Sequence, residues 1–514
     1  MNLSHLFRNA CLVLALLSPS LLSAQATTPV LRAPHDTVQI DLKGATFKFT
    51  FKVSETSRER LVRIGPANRT KTMHVRTGQD SAAFQYQNKA HERFKVTNGQ
   101  DTIDLVFSYF TPAPHVELNK KASAEYANKN YQASVDLYRQ SMAATPKGQH
   151  ARTTLYNMAC GYALMGKKKE ALQALQQAVA VGYKDVDHLK KDDDLRTLRE
   201  EKKYHHLVKQ LEKQKALLSD PMKAQLVTTD VHNFWKAYDM AAKNPAQKEQ
   251  IFEKEYFGKA SLGLEDYYQN RIGSVEQFLS NLHNKTDFFK AIRKNTLAVD
   301  TMKAGIYASF RKMKELYPAA SFPNVYFVIG RYTSAGTASE NGLLIGIDQY
   351  SRTADVPMHE MNLWERNNYD YVQNVPVLIA HELIHFIQVQ RNDTTLLSNA
   401  LAEGMADFIG ELISGQNINQ RIHAFANPRE KQIWQEFEKE MYLDRSHNWL
   451  GNGSQERPDR PADLGYYMGY KICEAFYQKA TDKKQAIKDI LEITDARAFF
   501  EKSGYAQKFA QASN

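Results

Sequence analysis

Cysteine is nearly absent from this chain: Cys11, Cys160 and Cys473 are the only three in 514 residues. That excludes a disulfide framework and any metal site built mainly on thiolates. Cys11 falls in a segment expected to be removed, and Cys160 and Cys473 lie in different expected domains, where both should be buried and inert. Long apolar runs are lacking too. After residue 26 nothing approaches the roughly 20 residues that span a bilayer, so no transmembrane segment is expected. The formal charge of +10 is not gathered into a patch. Its densest points, Lys167-Lys168-Lys169 and Lys190-Lys191, read as solvated helix ends without interleaved aromatics, so no nucleic-acid partner is expected.

What is present divides the chain. Residues 1–26 read as a signal peptide: Arg8 closes a short positive start, 11–22 is apolar, and Ala24-Gln25-Ala26 offers small residues for cleavage. Cys11 precedes the apolar run, which argues against a lipid-modified N-terminus. The mature protein should be exported, periplasmic or secreted. Residues 27–114 alternate with period two, as in Ala45-Thr46-Phe47-Lys48-Phe49-Thr50-Phe51, and turn signals separate the runs. An all-β, sandwich-like module is expected there, with no chemistry of its own.

From 115 to 216 the pattern becomes a repeat. Tyr131, Ser134, Tyr138 and Ser141 align with Lys168, Ala171, Leu175 and Ala178 at an offset of 37. That spacing of small and large residues resembles the tetratricopeptide pattern of paired antiparallel helices. Asp194 to Tyr204 looks like a capping element. Two repeats are few for a free-standing solenoid, so the block should pack on a neighbour. It, or the β module, could hold a protein partner, though spacing of the domains is the simpler role. Residues 217–514 then form a mainly helical domain interrupted by short apolar strands at 325–329 and 343–347.

The chemistry is concentrated in His381-Glu382-Leu383-Ile384-His385. Two imidazoles four apart share one helix face and can share one metal ion, and Glu382 places a carboxylate beside the open position. In such sites the glutamate takes a proton from metal-bound water. Asn374-Val375-Pro376 ahead of Val377-Leu378-Ile379-Ala380 lets a helix start at Pro376, and the surrounding apolar residues should bury it. The plain alternative is a buried helix with two histidines bonded to carbonyls. A third ligand is supplied by Ala402-Glu403-Gly404-Met405-Ala406-Asp407. Glu403 is the candidate ligand, and Asp407, four residues on, would accept the free N–H of a ligand imidazole. Tyr466 and Tyr470, four apart in a glycine-rich helix, are candidate oxyanion donors, with His423 and His447 as other candidates.

His381-Glu382-x-x-His385 followed by Glu403-x-x-Ala406-Asp407 resembles the gluzincin clan of zinc metallopeptidases. The segment 323–505 is most similar to its uncharacterised bacterial families, through Val325-Tyr326-Phe327-Val328-Ile329-Gly330, Asn341-Gly342-Leu343-Leu344-Ile345-Gly346 and Gly465-Tyr466-Tyr467-Met468-Gly469-Tyr470. The resemblance implies a zincin-like α+β catalytic domain at 217–514, Zn2+ on His381, His385 and Glu403, and Glu382 as general base. It also implies an edge strand that pairs with substrate, for which 343–347 is a candidate, an ordinary buried strand being the alternative, with the polar stretch 351–370 on the cleft rim. Ala402 stands where the clan usually has asparagine. The expected function is an exported zinc metallopeptidase acting on a peptide or protein. The alternatives are a zinc hydrolase of another amide or ester, and a non-catalytic binding or assembly protein on the same fold.

Overall fold

The computed structural model describes residues 114–144 and 148–510, together with the backbone of eight strand stretches between Val30 and Ser108. The expected signal peptide at 1–26 lies outside the described residues. So does the side-chain packing that would make 27–114 a sandwich. From 114 onward the chain is mostly helical, with one small mixed sheet.

Helices α1 (Pro114–Ala127), α2 (Tyr131–Ala144), α3 (Gly148–Leu164) and α4 (Lys168–Ala180) form two antiparallel pairs. The repeat positions carry the packing: Ser134, Tyr138 and Ser141 in α2 and Ala171, Leu175 and Ala178 in α4 are all buried. Small residues set the helix spacing. A Cβ at Gly161 would sit 2.8 Å from Val135 Cγ2, and the Ser134 hydroxyl reaches the Ala122 carbonyl at 2.8 Å. Gly166, at φ +75°, turns the chain from α3 into α4. Leu195, Leu198 and Tyr204 of the capping element join the same core.

This block does not stand alone. From Lys121 onward the chain forms one compact unit, and α3 docks on the helix Leu262–Tyr267. The fully buried Arg152 guanidinium grips Asp266 with two hydrogen bonds, 2.8 and 3.1 Å long, and Asn341 donates to the same carboxylate at 3.0 Å. The expectation that two repeats need a neighbour is met by this contact.

The sheet runs in the order Gly336–Ser339, Gly342–Gly346, Asn324–Val328, Leu226–Val227; the first pairing is antiparallel and the others are parallel. Its two central strands are apolar and almost wholly buried, as strands covered on both faces are. Of the two readings of 343–347, the buried strand is the one found. The strand at 343–347 is interior, hydrogen-bonded on both sides, so it cannot add a peptide. The free edge is Gly336–Ser339, whose Gly-Thr-Ala-Ser sequence carries little strand signal.

Candidate metal centre

Three helices build the site. Val375–Ile387 starts with a proline in its first turn, where a missing N–H is harmless, and residues 377–384 are all buried. Leu396–Ser414 is capped by the Thr395 hydroxyl on the Ser398 N–H and closed by Gly415 at φ +81°. It crosses the first helix at Gly410, where a Cβ would lie 3.3 Å from the His381 backbone. Leu464–Lys479 then packs on Leu396–Ser414 through Gly469 and Gly404.

These crossings bring three donors together. His381 Nε2 and His385 Nε2 are 3.0 Å apart, and Glu403 Oε2 lies 3.8 Å from the first and 3.1 Å from the second. Two imidazole nitrogens and a carboxylate oxygen facing one point are a donor set for a divalent cation. Each outer ring nitrogen has a close polar neighbour. Asp407 Oδ1 is 2.8 Å from His381 Nδ1, and Asn419 holds the other Asp407 oxygen at 2.7 Å. The contact is short but out of line for a hydrogen bond; a small turn of the ring would let the carboxylate hold the imidazole proton on Nδ1, with the Nε2 lone pair inward. At His385, the Gln388 amide lies 3.0 Å from Nδ1, and its oxygen is buried without a partner. Turning that amide over puts the oxygen on Nδ1–H and frees Nε2 in the same way.

Charge follows geometry. Burial acts to raise the Glu403 carboxyl, but His385, His381 and the Tyr466 hydroxyl outweigh it and hold it well below the ordinary range. Burial acts to lower His385, and Glu403 overrides it and holds the imidazole above its ordinary value. Burial raises the Glu382 carboxyl, while His385, His381 and the Arg271 guanidinium partly offset the rise. Glu382 packs against the sheet's free edge: a Cβ at Gly336 would strike its Oε1 at 2.3 Å. Only glycine lets the general-base candidate lie between helix and edge strand.

The whole arrangement falls inside residues 212–507, which match the family model described as gliding motility protein GldB. That match covers more than half of the chain. The chain belongs to the GldB family. Residues 116–183, ahead of the GldB segment, match a tetratricopeptide repeat model, which points to protein–protein interaction. A stretch of 85 residues is 31% identical to a chloroplastic protein of Arabidopsis thaliana, covering 16% of this chain and 25% of that protein. The chain thus spans about a quarter of the length of that curated relative. No solved structure matches it. Membership of the GldB family indicates association with the cell envelope, and among the described residues no helix is long and apolar enough to cross a membrane. Neither family description names a peptidase, so the gluzincin resemblance rests on the residues of the site.

Within the GldB segment the candidate residues separate. His381, Glu382, His385, Glu403 and Asp407 converge as their spacing implied. Tyr466 joins them: its ring stacks near His381, with centroids 6.2 Å apart, and its hydroxyl is close enough to Glu403 for the two to shift each other's proton affinity. Tyr470 does not. One helical turn further on, it faces away, edge-on to His423 and Phe408, and shares with Glu411 the lining of a separate cavity of about 390 Å³. A spacing of four puts both tyrosines on one helix side, but at the helix crossing by Gly469 Tyr470 meets Phe408, while Tyr466 reaches His381. His423 goes with Tyr470. Gln388 and Asn419 escaped the sequence reading. Gln388 carried a signal, since it follows His385 by three residues. Asn419 carried none, because a loop brings it to Asp407.

Proposed function

We propose that this GldB-family protein is an exported, metal-dependent peptidase of the cell envelope, with Zn2+ held by His381, His385 and Glu403. The observation that carries the reading is the convergence of those three donors beside a buried carboxyl whose proton affinity is raised. When bound, zinc would supply Lewis acidity, polarising a carbonyl and acidifying water.

The chain's own groups account for the rest. Asp407 and Gln388 orient the two imidazoles so that both inward nitrogens are free. Glu382, with no cation in direct contact and with burial favouring its protonated form, is suited to take a proton from water and pass it to a leaving amine. Tyr466 brings a hydroxyl donor to the edge of the donor set, where negative charge develops. The strand Gly336–Ser339 is paired with a neighbour strand on one side only and runs alongside Glu382, so that an extended peptide could add to its outer side across the site.

A second reading has its own support in the tetratricopeptide block and the family description: an assembly protein in which the cation is structural. The two differ in turnover. Purified protein should contain one zinc per chain and cleave quenched-fluorescence peptides, lose both on chelation, and regain both with Zn2+. Stoichiometric zinc without cleavage of any peptide would favour the assembly reading. Full zinc retention in Glu403→Ala would require another third ligand.

A further inference from the structure

Next to the free edge strand lies a guanidinium that feels Glu382 at a distance but that no carboxylate contacts. Arg271 sits in the π-helical turn Tyr268–Ile272, closed by Gly273 at φ +84°. Such turns are rare and recur at functional sites. Its Nη2 donates to Thr337 Oγ1 at 3.1 Å, and its Nε is buried with no acceptor. Arg331 lies beside it. The Arg331 Nε donates to the carbonyls of Arg271 and Ile272 at 3.2 and 2.8 Å, and burial holds its guanidinium below the ordinary value. The Thr333 hydroxyl takes the same Arg271 carbonyl at 2.8 Å. Among the described residues neither arginine has a carboxylate within ion-pair distance. Buried Arg152, by contrast, has Asp266. Two part-buried guanidinium groups without a contacting anion leave room for one to be supplied from outside.

Their position says what that could be. Gly336 backs onto Glu382, and Thr337, the next residue, faces the opposite side of the strand, where Arg271 holds it. A peptide added to this edge would alternate likewise, sending every second side chain towards the arginines. Resting on the peptidase reading above, we propose that Arg271 and Arg331 form a carboxylate-binding subsite that selects substrates with an acidic group near the scissile bond. Arginine suits the task because its planar fork pairs with both oxygens of a carboxylate. The group could be an Asp or Glu side chain, or the peptide's own C-terminal carboxylate.

The test compares zinc-loaded protein on peptide pairs that differ by Glu against Gln at each position flanking the cleaved bond, and on pairs with free against amidated C-termini. At least one carboxylate-bearing member should be favoured by roughly tenfold or more in kcat/KM, and the arm that shows it identifies the source. Arg271→Gln should bring that ratio close to one, and Arg271→Lys should keep part of it. Binding of labelled peptides to Glu382→Gln, read by fluorescence anisotropy without turnover, should show the same preference. Arg331→Gln serves as the second variant should Arg271→Gln fail to fold. Cleavage with no preference in either arm would overturn the subsite and leave the peptidase standing, as would a preference that survives both substitutions. No cleavage of any peptide by the zinc-loaded protein would overturn the peptidase reading and the subsite with it.

Discussion

Gly404 and Gly469 bring two helices into backbone contact: a Cβ on Gly404 would lie 2.0 Å from the Gly469 carbonyl carbon, and one on Gly469 1.8 Å from the Ala400 carbonyl oxygen. Glu403 and Tyr466 stand beside this crossing, and the distance between them depends on it. Gly469→Ala should force the helices apart, lowering stability by at least about 2 kcal/mol and weakening zinc retention together. Gly410→Ala, whose Cβ would meet His381 at a milder 3.3 Å, should lose less of both. Chemical denaturation with metal analysis checks the ranking; equal effects would contradict it.

Asp407 acts on the metal through His381. Asp407→Asn should weaken zinc binding by roughly 10- to 100-fold while the fold persists, as read by chelator competition and circular dichroism. Unchanged affinity would mean that His381 needs no partner at Nδ1.

The two tyrosines should behave differently although they are four residues apart. Tyr466→Phe removes the hydroxyl beside Glu403 and should lower kcat by roughly 100-fold with zinc content retained. Tyr470→Phe removes only a hydroxyl from the neighbouring cavity that it shares with Glu411, and should leave turnover unchanged. A comparable loss from both would put Tyr470 back in the site.

Much of this centre was legible because helices make it legible. A spacing of four fixes a shared face, so His381 with His385 and Glu403 with Asp407 could be paired from the sequence, and Pro376 marked where the first helix begins. The edge strand was not legible. Gly336-Thr337-Ala338-Ser339 lacks the β-branched and aromatic residues that announce a strand, since Glu382 needs the space that a side chain at 336 would fill. The apolar 343–347 stretch drew the assignment instead, and apolar is what an interior strand is. Tyr470 failed for a related reason: periodicity gives the face of a helix but not the neighbour that divides it.

Asp348 ties the loop before the edge strand, accepting the N–H groups of Gly330 at 3.0 Å and Tyr332 at 2.8 Å, where Tyr332 holds φ +62°. Burial raises its carboxyl to about 6, above the ordinary carboxylate value. The sign follows: ionisation is harder in the folded chain, so this group's contribution is most favourable below an ordinary pKa of about 4 and declines as pH rises through about 6. The stability of wild type relative to Asp348→Asn should therefore fall between about pH 4.5 and 7, measured by denaturant unfolding at each pH. A flat difference would contradict the raised value.

Arg152 and Asp266 are side chains with 1% and 0% exposure that join the repeat block to the GldB segment. Removing one partner strands the other charge, so Arg152→Ala should lower stability by about 3–5 kcal/mol. The double variant Arg152→Ala/Asp266→Ala should lose less than the sum of the single changes. Additive losses in denaturation curves would mean that the pair does not hold this junction.

The central claim is that Glu382 moves protons for a cation held by its neighbours, and Glu382→Gln tests it most directly. Gln fills the same space against Gly336 but has no carboxylate to accept a proton. Zinc content and peptide turnover would be measured on the same preparations of wild type and variant. The expected result is one zinc per chain in both, with hydrolysis in wild type alone. Turnover unchanged in Glu382→Gln, or no zinc in either protein, would contradict the account.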